Sequence, residues 1–175
     1  MALTVLIGGA RAGKSALAAK LATKTALPVT YVATAEALDD EMKDRIARHR
    51  ADRPENWATV EEPVELEGVL AGVGPGRAIV VDCLTMWVSN LMLNGLSDDM
   101  LERRAAYAAS LAAQRDTPTF VVTNEVGSGV HPSTELGRRF RDVLGRMNVI
   151  WAAAAAETLL VVAGRVITLT SVENE

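Results

Sequence analysis

With 175 residues, 49% of them hydrophobic and 23% charged, the chain suits one globular domain with a sizeable core, spanning 1–175, and not a disordered polymer. A net charge of −4, with no Lys/Arg tract beyond Arg45 to Arg53, argues against a nucleic-acid groove. A single cysteine, Cys83, excludes an internal disulfide and a Cys-rich zinc site, and reads as a small buried residue. The first apolar run is short and lacks the basic flank of a signal peptide. The stretch from Trp151 to Ala163 is interrupted by Glu157 and is too short to span a bilayer, so the expected location is the cytoplasm.

Leu3-Thr4-Val5-Leu6-Ile7 predicts a buried strand. It feeds Gly8-Gly9-Ala10-Arg11-Ala12-Gly13-Lys14-Ser15, a gapless match to G-x-x-x-x-G-K-[ST], and an Ala/Leu-rich helix runs on to about Lys24. The spelling has a chemical reason. Backbone N–H groups of a tight glycine-rich turn, aided by a helix N-terminus, cradle phosphate oxygens. Lys14 would reach the β- and γ-phosphates and Ser15 would ligate Mg²⁺. A nucleoside triphosphate is therefore the expected ligand.

Pro28 opens a second strand, Val29 to Ala33, which ends at Thr34-Ala35. Ligands of an open parallel sheet sit at the carboxyl ends of its strands. Thr34 falls there, as a phosphate or ribose contact or as a simple turn into the next helix. Asp39 to about Asp52 reads as a helix, acidic at its start and basic at its end, with Leu38, Met42 and Ile46 as its apolar stripe. His49 lies near that stripe among Arg45, Arg48, Arg50 and Arg53. Such a cluster attracts phosphate and disfavours the imidazolium, so His49 is either a packed helix residue or a nucleophile facing phosphates. Arg53-Pro54 ends the helix. Trp57 to Pro63 is a short extended stretch in which Glu61 and Glu62 are acceptors for a base or ribose, or plain solvated surface.

Val64 to Ala71 predicts a helix and Gly72 to Gly76 a turn. Ala78-Ile79-Val80-Val81-Asp82 has the Walker-B form, a buried parallel strand delivering a carboxylate to the Mg²⁺ beside Ser15. Leu84 to Leu93 reads as a buried helix, Asn94-Gly95 as its break, and Ser97 as the cap of a helix to about Ala113. Thr119 to Thr123 is a strand running into Asn124-Glu125-Val126-Gly127-Ser128-Gly129-Val130-His131-Pro132, a loop of functional character. There Glu125 either assists the metal and substrate or caps the turn, and His131 reads as a loop residue. Ser133 is expected to cap a helix from about Thr134 to Ala156, whose Arg138, Arg139, Arg141 and Arg146 are solvated or reach a phosphate. Thr158 to Ala163 is a further strand. The tight Gly164-Arg165 turn makes Val166 to Leu169 an antiparallel edge strand, before a frayed tail from Ser171.

Together these segments resemble the bifunctional adenosylcobinamide kinase / adenosylcobinamide-phosphate guanylyltransferase family of cobalamin biosynthesis. The resemblance covers nearly the whole chain. Its most specific parts are the R-I-x-x-H-R-x-x-R-P-x-x-W helix (Arg45 to Trp57) and the N-E-V-G-x-G motif (Asn124 to Gly129). Ala12 departs from the family's usual serine, and Asp82 stands where some members carry glutamate. The resemblance implies a three-layer α/β P-loop fold of RecA type, a mostly parallel sheet, and a homotrimer with sites between subunits. It implies two reactions. ATP or GTP phosphorylates the aminopropanol hydroxyl of adenosylcobinamide. His49 then takes GMP from GTP as a guanylyl-histidine and passes it to the cobinamide phosphate. The implied nucleotide contacts are Gly8 through Ser15 with Ala33, Thr34, Ala35, Arg50, Arg53, Glu61 and Asp82, and Ser15 and Asp82 hold Mg²⁺. The rivals are a P-loop kinase of another small metabolite, a RecA-like nucleic-acid module and a GTPase switch. The last lacks its N-K-x-D motif here.

Overall fold

The computed structural model describes residues 3–36 and 54–171. Its strands are β1 (Leu3–Gly8), β2 (Val29–Ala33), β3 (Ala58–Glu61), β4 (Ala78–Asp82), β5 (Thr119–Asn124), β6 (Glu157–Val162) and β7 (Arg165–Leu169). They form one sheet in the order β3-β2-β4-β5-β1-β6-β7. Every pairing is parallel except β6 with β7. The helices are α1 (Lys14–Lys24), α2 (Leu66–Gly72), α3 (Leu84–Leu93), α4 (Asp98–Ala113) and α5 (Glu135–Ala154).

Alternation along the strands splits the core in two. Leu3 and Val5, Val32, Ile79 and Val81, and Val121 point to one face, where they pack with Trp87, Leu91, Leu101, Leu144 and Trp151 of α3, α4 and α5. Leu6, Val29, Tyr31, Val80, Phe120 and Val122 point to the other, beneath Ala18 and Ala22 of α1. Central strands buried on both faces read as continuous apolar runs, which is why β1, β4 and β5 were legible. β7 lies beyond both helical layers, and all five of its residues are exposed.

Several boundaries differ from expectation for local reasons. Thr134, not Ser133, caps α5: its hydroxyl accepts from the Gly137 N–H at 3.1 Å. That helix stops at Ala154 because Ala155 is already extended, with ψ 141°. α2 starts two residues late, after Glu65. The extended stretch after Trp57 is a true edge strand, pairing parallel with β2. The β6–β7 turn is Ala163-Gly164, both at positive φ (49° and 71°), the two-residue turn that suits a hairpin's twist. The helix expected over Asp39 to Asp52 lies outside the described residues.

Candidate nucleotide site

Register places the motif residues along one edge of the sheet. Gly8, at the end of β1, is opposite Asn124 of β5; Asp82, at the end of β4, is opposite Val122 of β5 and Ala33 of β2; Ala33 is opposite Glu61 of β3. β5 alone separates β1 from β4, so two strand spacings, about 10 Å, separate the phosphate loop from the Walker-B carboxylate. Glu61 is exposed at the far end, four spacings or about 19 Å from β1.

Between β1 and α1 the loop turns through two left-handed residues, Arg11 (φ 58°) and Gly13 (φ 100°). Gly13 is also the α1 cap and supplies no side-chain acceptor, so the first-turn N–H groups point toward the loop, the arrangement that attracts an anion. Lys14 is 6% exposed, and its Nζ donates to the Gly8 carbonyl at 2.9 Å and the Gly9 carbonyl at 2.6 Å, closing the loop on itself. The Gly164 N–H of the β6–β7 turn donates to the Ala12 carbonyl at 3.0 Å, bracing the loop from the opposite side. Gly8 is required by a close approach: a Cβ there would lie 2.2 Å from the Val161 carbonyl oxygen.

Asp82 is held by a residue that sequence reasoning passed over. The Tyr31 hydroxyl donates to Asp82 Oδ2 at 2.5 Å, and its ring stands beside Trp57, centroids 6.3 Å apart. A tyrosine inside an otherwise aliphatic buried strand needs a partner for its hydroxyl, and that was the available signal. Thr34 is fully buried and its hydroxyl is engaged with Cys83, accepting from the Cys83 N–H at 2.8 Å and donating to the Cys83 carbonyl at 2.6 Å. It thereby ties the end of β2 to the residue after Asp82. Asn90 of α3 donates to the Thr34 carbonyl at 2.8 Å and the Pro63 carbonyl at 3.1 Å, fixing the ends of β2 and β3 together. Ala35 is half-buried just beyond.

Ser15 and Asp82 offer a hydroxyl and a carboxylate. These are hard oxygen donors of the kind Mg²⁺ takes when phosphates complete its shell. Among the described residues there is no group of three or more His, Cys, Asp and Glu that could hold a metal ion. Glu61, which ends β3, and Glu62, just past it, have separate fates. Glu62 Oε1 accepts from the N–H groups of Val64 (3.0 Å) and Glu65 (2.8 Å) at the start of α2, whereas Glu61 is exposed at the sheet edge. Glu125 caps its own turn, accepting from Gly127 (2.5 Å) and Ser128 (3.1 Å).

The arginines of α5 all have protein partners. Arg139 donates to Asp98 at 2.8 Å and Arg146 to Asp98 at 2.7 Å and Glu102 at 2.5 Å, joining α5 to α4. The Arg139 hydrogen bond, followed by Arg146, holds the Asp98 carboxyl below its ordinary range, and Glu102 raises Arg146. Arg138 binds the carbonyls of Pro132 and Ser133. Arg141 donates to His131 Nδ1 at 2.7 Å; a guanidinium only donates, so that nitrogen accepts. His49, Arg50 and Arg53, with Arg45 and Arg48, lie outside the described residues.

A parallel sheet with helices on both faces, a phosphate loop after β1 and an acid ending β4 define a P-loop nucleotide-binding protein of RecA-like fold. The RadB recombinase structure matches 91% of this chain and 73% of that chain, with a TM-score of 0.53 at 18% identity. A Pyrococcus horikoshii OT3 protein structure matches 98% and 87%, with a TM-score of 0.57 at 9% identity. At such identities the likeness speaks for fold alone. The model of the family described as cobinamide kinase / cobinamide phosphate guanyltransferase matches residues 4–169, and the chain belongs to that family. It is 42% identical over 163 residues to the bifunctional adenosylcobalamin biosynthesis protein CobP of Pseudomonas aeruginosa, covering 91% of this chain and 92% of that protein. It is 39% and 40% identical to the CobU proteins of Escherichia coli K12 and Salmonella typhimurium, over 93% of this chain and 96% of each. No helix among the described residues is long and apolar enough to cross a membrane.

Proposed function

We propose that this enzyme phosphorylates adenosylcobinamide with ATP or GTP and then transfers GMP from GTP to the product, giving adenosyl-GDP-cobinamide. The observation that carries the reading is the alignment of the phosphate loop and Asp82 on one edge of the sheet, in a chain that matches the family model from residue 4 to 169. A kinase of some other metabolite would need only the first half of this apparatus.

In the kinase step, the amides from Gly8 to Gly13 and the α1 N-terminus hold the triphosphate, and the Lys14 ammonium offsets charge building on the transferred phosphoryl. The ammonium carries three N–H donors and gives two of them to the Gly8 and Gly9 carbonyls, so phosphate oxygens would compete with these backbone acceptors for its protons. Ser15 and Asp82 would hold Mg²⁺, which supplies charge neutralisation and orientation of the phosphates. Tyr31 fixes the carboxylate of Asp82, and Thr34 and Asn90 fix the strand ends around it.

In the second step, an imidazole nitrogen of His49 attacks the α-phosphorus of GTP, the bond to the bridging oxygen breaks, and pyrophosphate leaves. An oxygen of the cobinamide phosphate then attacks the phosphoramidate and releases the imidazole. Dividing the displacement this way replaces one difficult step with two easier ones. Arg50 and Arg53 would offset phosphate charge, and Ala33, Ala35 and Glu61 line the edge on which the ribose and base would lie. The reaction belongs in the cytoplasm, and the protein would act as a homotrimer, a state checked by its mass in solution. The decisive experiment is mass spectrometry after incubation with GTP and Mg²⁺. A GMP adduct on the peptide containing His49, absent in His49→Ala, is expected. No adduct on the wild-type protein would reduce the activity to that of a kinase.

A further inference from the structure

The N-E-V-G loop after β5 touches the phosphate loop directly. The Glu125 N–H donates to the Gly8 carbonyl at 3.1 Å, one residue past the Gly8↔Asn124 pairing, so the parallel ladder of β1 and β5 runs on to Glu125. The end of β5 is firmly seated. The Asn124 N–H donates to Thr85 Oγ1 at 2.9 Å. Asn148 of α5 donates to the Asn124 carbonyl at 3.0 Å and accepts from the Thr123 hydroxyl at 2.7 Å. The partly exposed Glu125 uses Oε1 to cap its own turn, accepting from Gly127 and Ser128. Among the described residues Oε2 has no hydrogen-bond partner.

We propose that Glu125 is the general base of the kinase step, an assignment that rests on the kinase reading above. Its Oε2 accepts the proton of the substrate hydroxyl as that oxygen attacks the γ-phosphorus. The bond from the γ-phosphorus to the bridging oxygen breaks, the nucleoside diphosphate leaves with that electron pair, and the carboxyl later gives its proton to solvent. Placement supports the role. Val121 packs on the side of the sheet covered by α3, α4 and α5, and Thr123 points there too, bonded to Asn148; alternation puts Glu125 on that same side. The phosphate loop leads into α1, which covers the other side. An acceptor in line with the leaving oxygen enters opposite the bound diphosphate, and so from the side of Glu125. Asp82 is level with Val122, three residues or roughly 10 Å before Glu125 along the strand, so cation and base occupy separate places. The neighbouring acids have other tasks. Asp82 Oδ2 receives the Tyr31 hydroxyl, Glu62 caps the start of α2, and Glu61 stands at the far edge of the sheet.

The test uses the full chain and Glu125→Gln. The amide keeps the side chain's length and an oxygen that can still receive the Gly127 and Ser128 N–H groups, but it cannot take up a proton. Phosphorylation of adenosylcobinamide by ATP at saturating substrates should fall about a hundredfold or more. The melting temperature, the KM for cobinamide and the affinity for GTP with Mg²⁺ should match the wild type. The GMP adduct should still form at the wild-type rate, because an attacking imidazole has no hydroxyl proton to surrender. Phosphorylation within about twofold of wild type overturns the assignment. Full recovery of the rate at higher Mg²⁺ also overturns it, making Glu125 a metal ligand. A parallel fall in phosphorylation and adduct formation overturns it too, leaving the residue a role in shaping the loop. A wild-type protein that forms the GMP adduct yet phosphorylates no cobinamide overturns the kinase reading itself, and this assignment with it.

Discussion

Gly8→Ala and Gly9→Ala change neighbouring letters of one motif, and the structure assigns them opposite outcomes. A Cβ on Gly8 would stand 2.2 Å from the Val161 carbonyl oxygen and 3.1 Å from its carbon, whereas a Cβ on Gly9 would meet nothing within 4 Å. The obstacle at Gly8 is backbone of β6, a strand paired with β1 from Thr4↔Glu157 to Ile7↔Leu160. It cannot rotate aside, so the strands must part by about 1 Å to reach ordinary contact. Overpacking of this kind costs about 1–3 kcal/mol. In a chain of this size that lowers the melting temperature by roughly 2–12 °C. The displacement falls where the phosphate loop begins, and the loop is also tied to the β6–β7 turn through Ala12 and Gly164. GTP affinity should therefore drop about tenfold or more in Gly8→Ala. Thermal denaturation by circular dichroism and calorimetric titration with GTP read the two effects. Gly9→Ala should melt like the wild type. Wild-type stability and GTP affinity in Gly8→Ala would refute the steric argument.

Four further outcomes follow from the same geometry. Glu67→Ala removes the fork that receives Arg104 Nε and Nη2, each at 2.6 Å, beneath Trp87; urea denaturation should show a loss of about 1–3 kcal/mol, and a variant as stable as wild type would place no net value on the pair. Asp98 is held below its ordinary value of 3.8 by Arg139 and Arg146, so its contribution is present above that pH and is lost as pH falls through the lower folded value. The acid limb of the stability curve should accordingly be shallower in Asp98→Asn, and an unchanged limb would count against the assignment. Chelation with EDTA should abolish both phosphoryl and guanylyl transfer, with Mg²⁺ restoring them, and Asp82→Asn should raise the Mg²⁺ concentration needed. His49→Ala should retain cobinamide phosphorylation while losing the GMP adduct; loss of both activities would mean that the histidine also serves the first step.

Much of the fold is written locally. The apolar runs of β1, β4 and β5, the glycine spacing of the phosphate loop and the Ser97 cap each occupy a few consecutive residues, and the structure places them where period and motif put them. β3 was harder to read, because an edge strand of four mostly exposed residues carries little apolar signal. The α5 cap shifted by one residue because Ser133 and Thr134 are equally able acceptors, and only the path of the loop chooses between them.

What the sequence determined by itself was the chemistry: which residues could grip phosphate, which carboxylate could meet a cation, and which family shares them. Tertiary structure alone decided how those groups are held. Tyr31 and Asp82 are 51 residues apart, Thr34 and Cys83 49, and Asn90 and Thr34 56, and each pair meets because β2 lies beside β4 and α3 packs on the sheet. No local pattern specifies that neighbourhood. One buried apolar strand resembles another in sequence, and the choice of partner is made only when the whole sheet and its helices bury their faces together.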